Sequence, residues 1–112
     1  MQETQTKSNQ KYVYAHGRRK EAVARARLYK GKSQNLINGK PMEEYFPSDV
    51  AKSKFFQPFN LTKTESSYFV SVKVEGSGKA GQLHAVIHAV SSALNIANPE
   101  FRPMLKQAGL LT

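Results

Sequence analysis

The chain has 112 residues, a formal net charge of +9 and no cysteine. This length suits one small domain with a single compact core, and the lack of cysteine excludes disulfides and thiolate chemistry. The first twenty residues have no apolar segment of the kind that a secretory signal requires, and no apolar run is long enough to span a bilayer. We therefore expect a soluble intracellular protein without a membrane-spanning segment.

The positive charge is concentrated near the N terminus. Residues 1–40 contain ten Lys or Arg and two Glu, a net charge of +8, whereas residues 41–112 contain seven basic and six acidic residues, a net charge of +1. Such a cluster attracts polyanions because their condensed counterions are released on binding. Nucleic acid is therefore the first candidate partner and an anionic membrane surface the second. The alternative is a solvated basic face that only maintains solubility.

Residues 1–10 are polar and aperiodic and predict a flexible N-terminal arm. The segment that follows, over 12–29, fits two structures. As a strand, this segment places Ala22, Ala24, Ala26 and Leu28 on one face. As a helix, it gains from alanine propensity and a Glu21–Arg25 pair. Periodicity leaves both open, and the aromatic and β-branched residues at 12–14 favour the strand.

The middle of the chain predicts short elements separated by turns and prolines. A strand at 35–37 should end at an Asn38-Gly39 turn, and Pro41 should open a short helix that Pro47 ends. Ser48 or Asp49 can cap a further helix over about 50–56. We expect Pro58 to limit that helix.

The C-terminal part predicts one strand and two helices. Alternation over 68–75 indicates a strand with one face covered, and an apolar stripe from Gln82 onward indicates a helix that ends near Asn98. Asn98 and Pro99 should then open a last helix toward Ala108, closed by Gly109 and distorted by Pro103.

Between the strand and the helix, residues 76–81 read Gly-Ser-Gly-Lys-Ala-Gly, which matches the spacing of a dinucleotide-binding loop. That fold needs a strand buried on both faces and a second parallel strand. Here one face of the strand is polar, and no later segment reads as a strand. A phosphate-binding loop of the Walker type also fails, because Ala80 stands where a Ser or Thr must bind magnesium.

Two interpretations of the glycine loop remain. Its backbone amides and Lys79 can approach a phosphate, or the glycines only form a tight turn. In either case we expect Gly78 to need a conformation or a close approach that a side chain would prevent.

No arrangement of residues predicts catalysis or metal binding. His84 and His88 have helical i,i+4 spacing but lack the glutamate and the third ligand of a zinc site, so a polar helix face is the favoured interpretation. We expect no cofactor, no metal and no enzymatic activity. The alternative hypothesis is a small nucleotide-binding enzyme that uses the glycine loop.

Residues 12–31, which we call the basic segment, contain side chains suited to binding RNA. Arg18, Arg19 and Lys20 follow Gly17 directly, and in a strand Arg25 and Arg27 share a face where they can hold successive phosphates. Tyr12, Tyr14 and Tyr29 are nearby; they either stack on unpaired bases or pack as core aromatics.

Five motifs occur in an order and spacing that resemble one family. They are GRRKEAVARARLYKG, INGKPMEEYFP, QPFNLT, VKVEGSGKAGQLHAVIHAVSSAL and NPEFRPMLKQAGLLT. Over about residues 12–112 the chain resembles the bacterial and organellar form of small-subunit ribosomal protein nine. The resemblance implies a single RNA-binding α+β domain over 11–112, like the second domain of ribosomal protein five. It would have a mixed sheet with helices packed on one side, a left-handed crossover and a strand as its first long segment.

The resemblance also implies a function and partners. Family members bind small-subunit ribosomal RNA in the head, in the 3′ major domain, near ribosomal proteins seven, ten and fourteen. We thus expect a structural constituent of a cytoplasmic or organellar ribosome that supports translation, with no membrane and no small-molecule substrate among its partners.

The basic segment, the glycine loop and the resemblance together predict one set of RNA-binding residues: Lys11, Gly17, Arg18, Arg19, Lys20, Arg25, Arg27, Lys30, Gly76, Gly78, Lys79, Gly81, Gln82 and His88. The family usually has Arg where this chain has Ile87 and Ser92, so we do not expect the helix that carries them to be a major RNA contact. Family members also continue into a basic tail that reaches transfer RNA in the peptidyl site. This sequence ends at Thr112, and we expect no such contact from it.

Overall fold

The computed structural model describes residues 11–111, so the N-terminal arm predicted for 1–10 lies outside the described residues. The strands are β1 (Tyr12–Arg19), β2 (Ala22–Lys30), β3 (Leu36–Ile37), β4 (Lys40–Pro41) and β5 (Tyr68–Glu75). The helices are α1 (Met42–Tyr45), α2 (Asp49–Thr62), α3 (Lys79–Ala97) and α4 (Arg102–Gln107), and a 3-10 turn covers Pro99–Phe101. None of these helices is long and apolar enough to cross a membrane.

The five strands form one mixed sheet in the order β1-β2-β5-β3-β4. β1 pairs antiparallel with β2 across a turn at Lys20 and Glu21, and β2 pairs antiparallel with β5. β3 lies parallel to β5 and antiparallel to β4. The extended conformation predicted for residues 12–29 is therefore confirmed, but the single long strand is wrong, because the turn at Lys20 and Glu21 divides it into β1 and β2. The α+β class that the resemblance implies is confirmed. The likeness to ribosomal protein five and the handedness of the crossover stay predictions.

The helices cover one face of the sheet. On β2 and β5 every second side chain is buried, and these are Ala22, Ala24, Ala26, Leu28, Val70, Val72 and Val74. α3 packs against β1, β2 and β5, and α2 packs against α3. Because the β2 side of this contact is mostly alanine, α3 can approach the sheet closely. The buried apolar residues form a single cluster between the sheet and the helices.

α2 differs from its prediction because it does not end before Pro58. Ser48 caps it as expected, since its Oγ accepts a hydrogen bond from the Ala51 amide at 3.0 Å. The helix then continues through Pro58 to Thr62, with Phe55 and Phe59 buried on either side of the proline. Proline in a helix removes one backbone hydrogen bond, and the burial of this apolar surface offsets that loss. Lys63 follows as the C-cap and adopts the left-handed conformation.

The C-terminal elements follow their predictions with two adjustments. α3 begins at Lys79, three residues before the expected Gln82, and ends at Ala97 with Asn98 as its C-cap, which agrees with the expected end near Asn98. The Asn98 side chain caps the next element by accepting from the Glu100 amide at 3.1 Å. The expected last helix is split into the 3-10 turn and α4, with Pro103 in the first turn of α4. Gly109 closes it with a φ of +78°.

Candidate nucleic-acid interface

The face of the sheet opposite α3 carries basic and aromatic side chains, and no helix of the described chain covers it. Strand register aligns these side chains in rows across β1, β2 and β5. From the β1–β2 turn onward, the rows are Arg18–Val23–Glu75, His16–Arg25–Lys73, Tyr14–Arg27–Ser71 and Tyr12–Tyr29–Phe69. We call this surface the open sheet face. Its two central rows hold Arg25, Arg27 and Lys73, and its last row is aromatic.

The three central cations are only weakly neutralised. Arg25 Nη1 lies 4.0 Å from Glu75 Oε2, and the two side chains are 52% and 78% exposed. An exposed pair at this distance contributes little energy, so Arg25 remains available to another anion. Arg27 and Lys73 make no ion pair with the described residues. The open sheet face therefore presents a net positive charge.

The aromatic side chains of this face divide into two groups. The Tyr12 and Tyr29 rings are 5.5 Å apart between centroids, and Tyr29 stacks on Phe69 at 5.2 Å. All three are half-buried, so packing is the interpretation that fits Tyr12 and Tyr29. Tyr14 is 48% exposed and makes no ring contact with the described residues. Of the three tyrosines of the basic segment, Tyr14 has the accessible ring.

Arg18, Arg19 and Lys20 lie at the β1–β2 turn, and all three are exposed. Lys20 adopts a φ of +54° at the turn. The Arg18 amide donates to His88 Nδ1 at 3.4 Å. This hydrogen bond brings the basic motif of β1 beside the middle of α3, a proximity that the sequence did not reveal.

A narrow cleft of about 130 Å³ lies at the same place, lined by Arg18, Arg19, His84 and His88 among others. The two histidines have no third ligand near them, because no group of three His, Asp or Glu side chains within residues 11–111 is placed to hold a metal ion. Arg18 and Arg19 give the cleft its basic character.

Gly17 is buried beneath α3. A Cβ atom on this residue would lie 2.5 Å from the Ala89 amide nitrogen. The structure thus gives Gly17 a packing role between β1 and α3, and its contact with RNA stays a prediction.

Lys11 and Lys30 lie at the opposite end of the sheet from the turn. They adjoin the Tyr12–Tyr29 pair and line a shallow cleft with Tyr68. β1 has eight residues, and at about 3.3 Å per residue it separates this end from Arg19 by roughly 23 Å. The predicted RNA-binding residues between 11 and 30 therefore occupy both ends and the middle of the sheet.

The glycine loop is held by contacts within the protein. Gly76 has a φ of +85°, and a Cβ atom on it would overlap the Glu21 carbonyl oxygen of the β1–β2 turn. Gly78 has a φ of −93°, and a Cβ atom there would meet nothing within 4 Å. The prediction that a side chain at Gly78 would be prevented by its conformation or by a neighbouring group of the protein is therefore wrong. Both restrictions apply to Gly76 instead. Gly81 lies in the first turn of α3 against the Ser77 side chain.

Lys79 and Gln82 connect this loop to α1. Lys79 Nζ donates to the Tyr45 carbonyl oxygen at 2.9 Å and lies 4.0 Å from the centroid of its ring. Gln82 Oε1 accepts from the Tyr45 hydroxyl at 2.6 Å, and its Nε2 donates to the Gly76 carbonyl oxygen at 3.1 Å. These contacts favour a structural turn, and phosphate binding by the loop stays a prediction.

The alternative hypothesis of a nucleotide-binding enzyme gains no support from the fold. A dinucleotide site needs a second parallel strand after the helix that follows the glycines. Here the described chain after α3 forms only the 3-10 turn, α4 and a short segment to residue 111.

Lys73 and Tyr14 belong to the open sheet face, but neither is among the predicted RNA-binding residues. Alternation places Lys73 on the polar face of its strand. What sequence cannot supply is the pairing of β5 with β2, which makes Lys73 the cross-strand partner of Arg25. Nor can sequence separate Tyr14 from Tyr12 and Tyr29, since exposure depends on neighbouring strands.

Comparison with known proteins identifies the family. The model of the family described as ribosomal protein S9/S16 matches residues 17–112. The chain is 50% identical over 101 residues to the small ribosomal subunit protein uS9 of Maridesulfovibrio salexigens, and the aligned region covers 90% of this chain and 78% of that protein. It is 46% identical over 101 residues to uS9 of Lawsonia intracellularis, with the same coverage. It is 43% identical over 99 residues to uS9 of Rickettsia rickettsii, covering 88% of this chain and 62% of that protein. The chain therefore belongs to the ribosomal protein S9/S16 family, the family of small ribosomal subunit protein uS9.

Proposed function

We propose that this protein binds small-subunit ribosomal RNA in the head of the subunit, within the 3′ major domain, and supports translation as a structural component there. The observation that carries the proposal is the open sheet face, where Arg25, Arg27 and Lys73 lie side by side with one weakly paired carboxylate. Membership of a small-subunit ribosomal protein family supports the same assignment.

Phosphate contacts dominate this interaction. Arg18, Arg19 and Lys20 at the β1–β2 turn and Arg25 and Arg27 on β2 form what we call the basic band. Its arginines can each hold a phosphate through two parallel hydrogen bonds. Because the band runs from the turn along the sheet, it can follow consecutive phosphates of a folded RNA. Such contacts fix the position of the protein on the RNA and carry little sequence information.

The neighbours of the protein in this proposal are ribosomal proteins seven, ten and fourteen, and its location is the bacterial cytoplasm or an organelle. Curated relatives from three bacteria support a bacterial-type ribosome. The sites of RNA contact are the basic band together with the other predicted RNA-binding residues at the two ends of the sheet and around the glycine loop.

The test measures affinity for a transcript of the 3′ major domain across a range of salt concentrations. Arg18 and Arg19 are both changed to Ala, which removes two exposed charges from the turn. We expect weaker binding and a salt dependence that is flatter by about one unit of slope for each phosphate that the variant no longer neutralises.

The matched control changes Lys52 and Lys54 to Ala. This variant removes the same amount of charge from α2, away from the basic band. It should bind nearly as well as the original protein. If both double variants lose the same affinity, net charge alone drives binding and the basic band has no special role.

A further inference from the structure

A recess of about 300 Å³ lies on the open sheet face. Its walls include Tyr14, Arg25, Arg27, Ser71 and Lys73, beside the turn at Asn38 and Gly39. The volume is at the lower end of the range of small-molecule sites, about 300–1,000 Å³. The recess therefore has room for one nucleotide unit.

The charges around the recess select an anion. Arg25 and Lys73 are cross-strand partners, and Arg27 is two residues along the same face of β2. Glu75 is the carboxylate that pairs with this group among the described residues, at 4.0 Å and largely exposed. Three cations against one solvated carboxylate suit a phosphodiester group.

The Tyr14 ring supplies a stacking surface next to these cations. Tyr14 is the cross-strand partner of Arg27, but the Arg27 guanidinium lies over the Tyr12 ring, 5.2 Å from its centroid. Tyr14 is 48% exposed as a residue, and its ring makes no aromatic contact with the described residues. An exposed aromatic ring beside arginines is the arrangement on which unpaired bases stack.

We propose that the recess binds one unpaired nucleotide of RNA, with its base stacked on Tyr14 and its adjoining phosphate held by Arg25, Arg27 and Lys73. This inference rests on the proposed function and specifies which part of the RNA meets the open sheet face. A paired base cannot lie flat on a side-chain ring, because it is stacked between its neighbours within the helix. The site therefore distinguishes a bulged or looped nucleotide from a duplex.

The polar groups of the recess predict weak discrimination among the bases. The Asn38 amide is fully used, because its Oδ1 accepts from the Val74 amide and its Nδ2 donates to the Val74 carbonyl oxygen and the Tyr45 hydroxyl. Ser71 makes no side-chain hydrogen bond with the described residues and can offer one hydroxyl to a base edge. Stacking itself tolerates every base.

The test compares two labelled RNA probes by fluorescence anisotropy with the full chain. One is a single strand of about ten nucleotides, a length suited to a short binding face, and the other is the same strand annealed to its complement. Tyr14→Val removes the ring but keeps strand propensity, and Tyr14→Phe keeps the ring. Tyr14→Val should weaken single-strand binding about 5- to 150-fold, the loss expected for one stacked base. Duplex binding should not change, and Tyr14→Phe should behave as the original protein.

A second readout separates the base from the phosphate. A 2-aminopurine placed in the single strand should lose fluorescence on binding to the original protein and to Tyr14→Phe, but not to Tyr14→Val. Lys73→Ala should flatten the salt dependence of single-strand binding by about 0.7, the value for one phosphate that is no longer neutralised, whereas Tyr14→Val should leave the slope unchanged.

The inference is overturned if the original protein binds the single strand without quenching 2-aminopurine, since this result does not depend on any variant being folded. Equal losses of single-strand and duplex binding in Tyr14→Val would also overturn it and would indicate a phosphate surface alone. A different result would contradict the proposed function. It is that the variant with both Arg18 and Arg19 changed to Ala binds the ribosomal transcript with the affinity and salt dependence of the original protein.

Discussion

The backbone of Gly17 in β1 lies directly against the backbone of Ala89 in α3. A Cβ atom on Gly17 would be 2.5 Å from the Ala89 amide nitrogen and 2.7 Å from the Ala85 carbonyl oxygen. Neither of these atoms can rotate away as the end of a side chain can, so a larger residue must push β1 and α3 apart. Since α3 makes its most extensive contact with β1, this glycine determines how closely α3 packs on the sheet.

We therefore predict that Gly17→Ala destabilises the protein. Overpacking of this kind costs about 1–3 kcal/mol in the free energy of unfolding, and thermal or urea denaturation followed by circular dichroism measures it. Gly78→Ala is the control, because a Cβ atom there meets nothing within 4 Å and φ is −93°. Its own cost is the smaller one of replacing glycine by alanine at the N-cap of α3. Equal unfolding midpoints for the two variants would contradict the proposed close packing.

A second prediction concerns the constraint in the glycine loop. Gly76→Ala must accept both a positive φ and an overlap with the Glu21 carbonyl oxygen, whereas Gly39→Ala must accept only a positive φ of +81°. A Cβ atom in the left-handed region costs about 1–2 kcal/mol. Gly76→Ala should lower the free energy of unfolding by more than Gly39→Ala does. If both variants lose the same free energy of unfolding, the turn at Glu21 moves to accommodate the Cβ atom at little cost.

Sequence alone predicts the elements whose signals are local. The alternation of β5 and the caps at Ser48 and Asn98 depend on neighbouring residues in the chain, and these predictions are confirmed. The predicted end of α2 is wrong because the burial of Phe55 and Phe59 around Pro58 is a tertiary effect that outweighs a local signal.

Sequence predicts only the part of the candidate site that depends on residues close together in the chain. The cations of β1 and β2 can be identified because they are close in sequence. Lys73 is 48 positions beyond Arg25 in the numbering, yet the β2–β5 register places the two side by side. Likewise, the role of Gly17 follows from the position of α3 on the sheet, which no local pattern encodes.

The third prediction concerns the Tyr45 hydroxyl, which connects α1 to α3 and to the turn between β3 and β4. It accepts from Asn38 Nδ2 at 3.2 Å and donates to Gln82 Oε1 at 2.6 Å. Tyr45→Phe removes both hydrogen bonds and keeps the ring under Lys79. We expect a loss of about 0.5–1.5 kcal/mol in the free energy of unfolding for each bond, reduced by partial exposure.

Tyr14→Phe provides the control for this loss. Its hydroxyl makes no hydrogen bond with the described residues, and the side chain is exposed. Denaturation should therefore leave Tyr14→Phe unchanged. If Tyr45→Phe is equally stable, water replaces the Tyr45 hydroxyl without cost and the connection between α1 and the glycine loop is not held by this group.

The last prediction is a substitution that stabilises the protein, whereas the earlier ones destabilise it. Ser91 is fully buried in α3, and its Oγ has no hydrogen-bond partner among the described residues. An unpaired buried hydroxyl costs about 1–3 kcal/mol in protein mutants, and alanine has the higher helix propensity. Ser91→Ala removes one atom and leaves little empty volume. We expect it to raise the free energy of unfolding by about 1 kcal/mol or more.

Ser92→Ala separates the two causes of that gain. Ser92 is the next residue of the same helix and is half-buried, so this variant gains helix propensity without removing a fully buried hydroxyl. Ser91→Ala should stabilise the protein more than Ser92→Ala does, as measured by the midpoint of urea unfolding at an unchanged slope. A Ser91→Ala variant that is less stable than the original protein would show that the hydroxyl is paired in solution. The preceding turn of α3 offers the Ile87 carbonyl oxygen for such a bond, since helical serines can bond to the carbonyl four residues earlier.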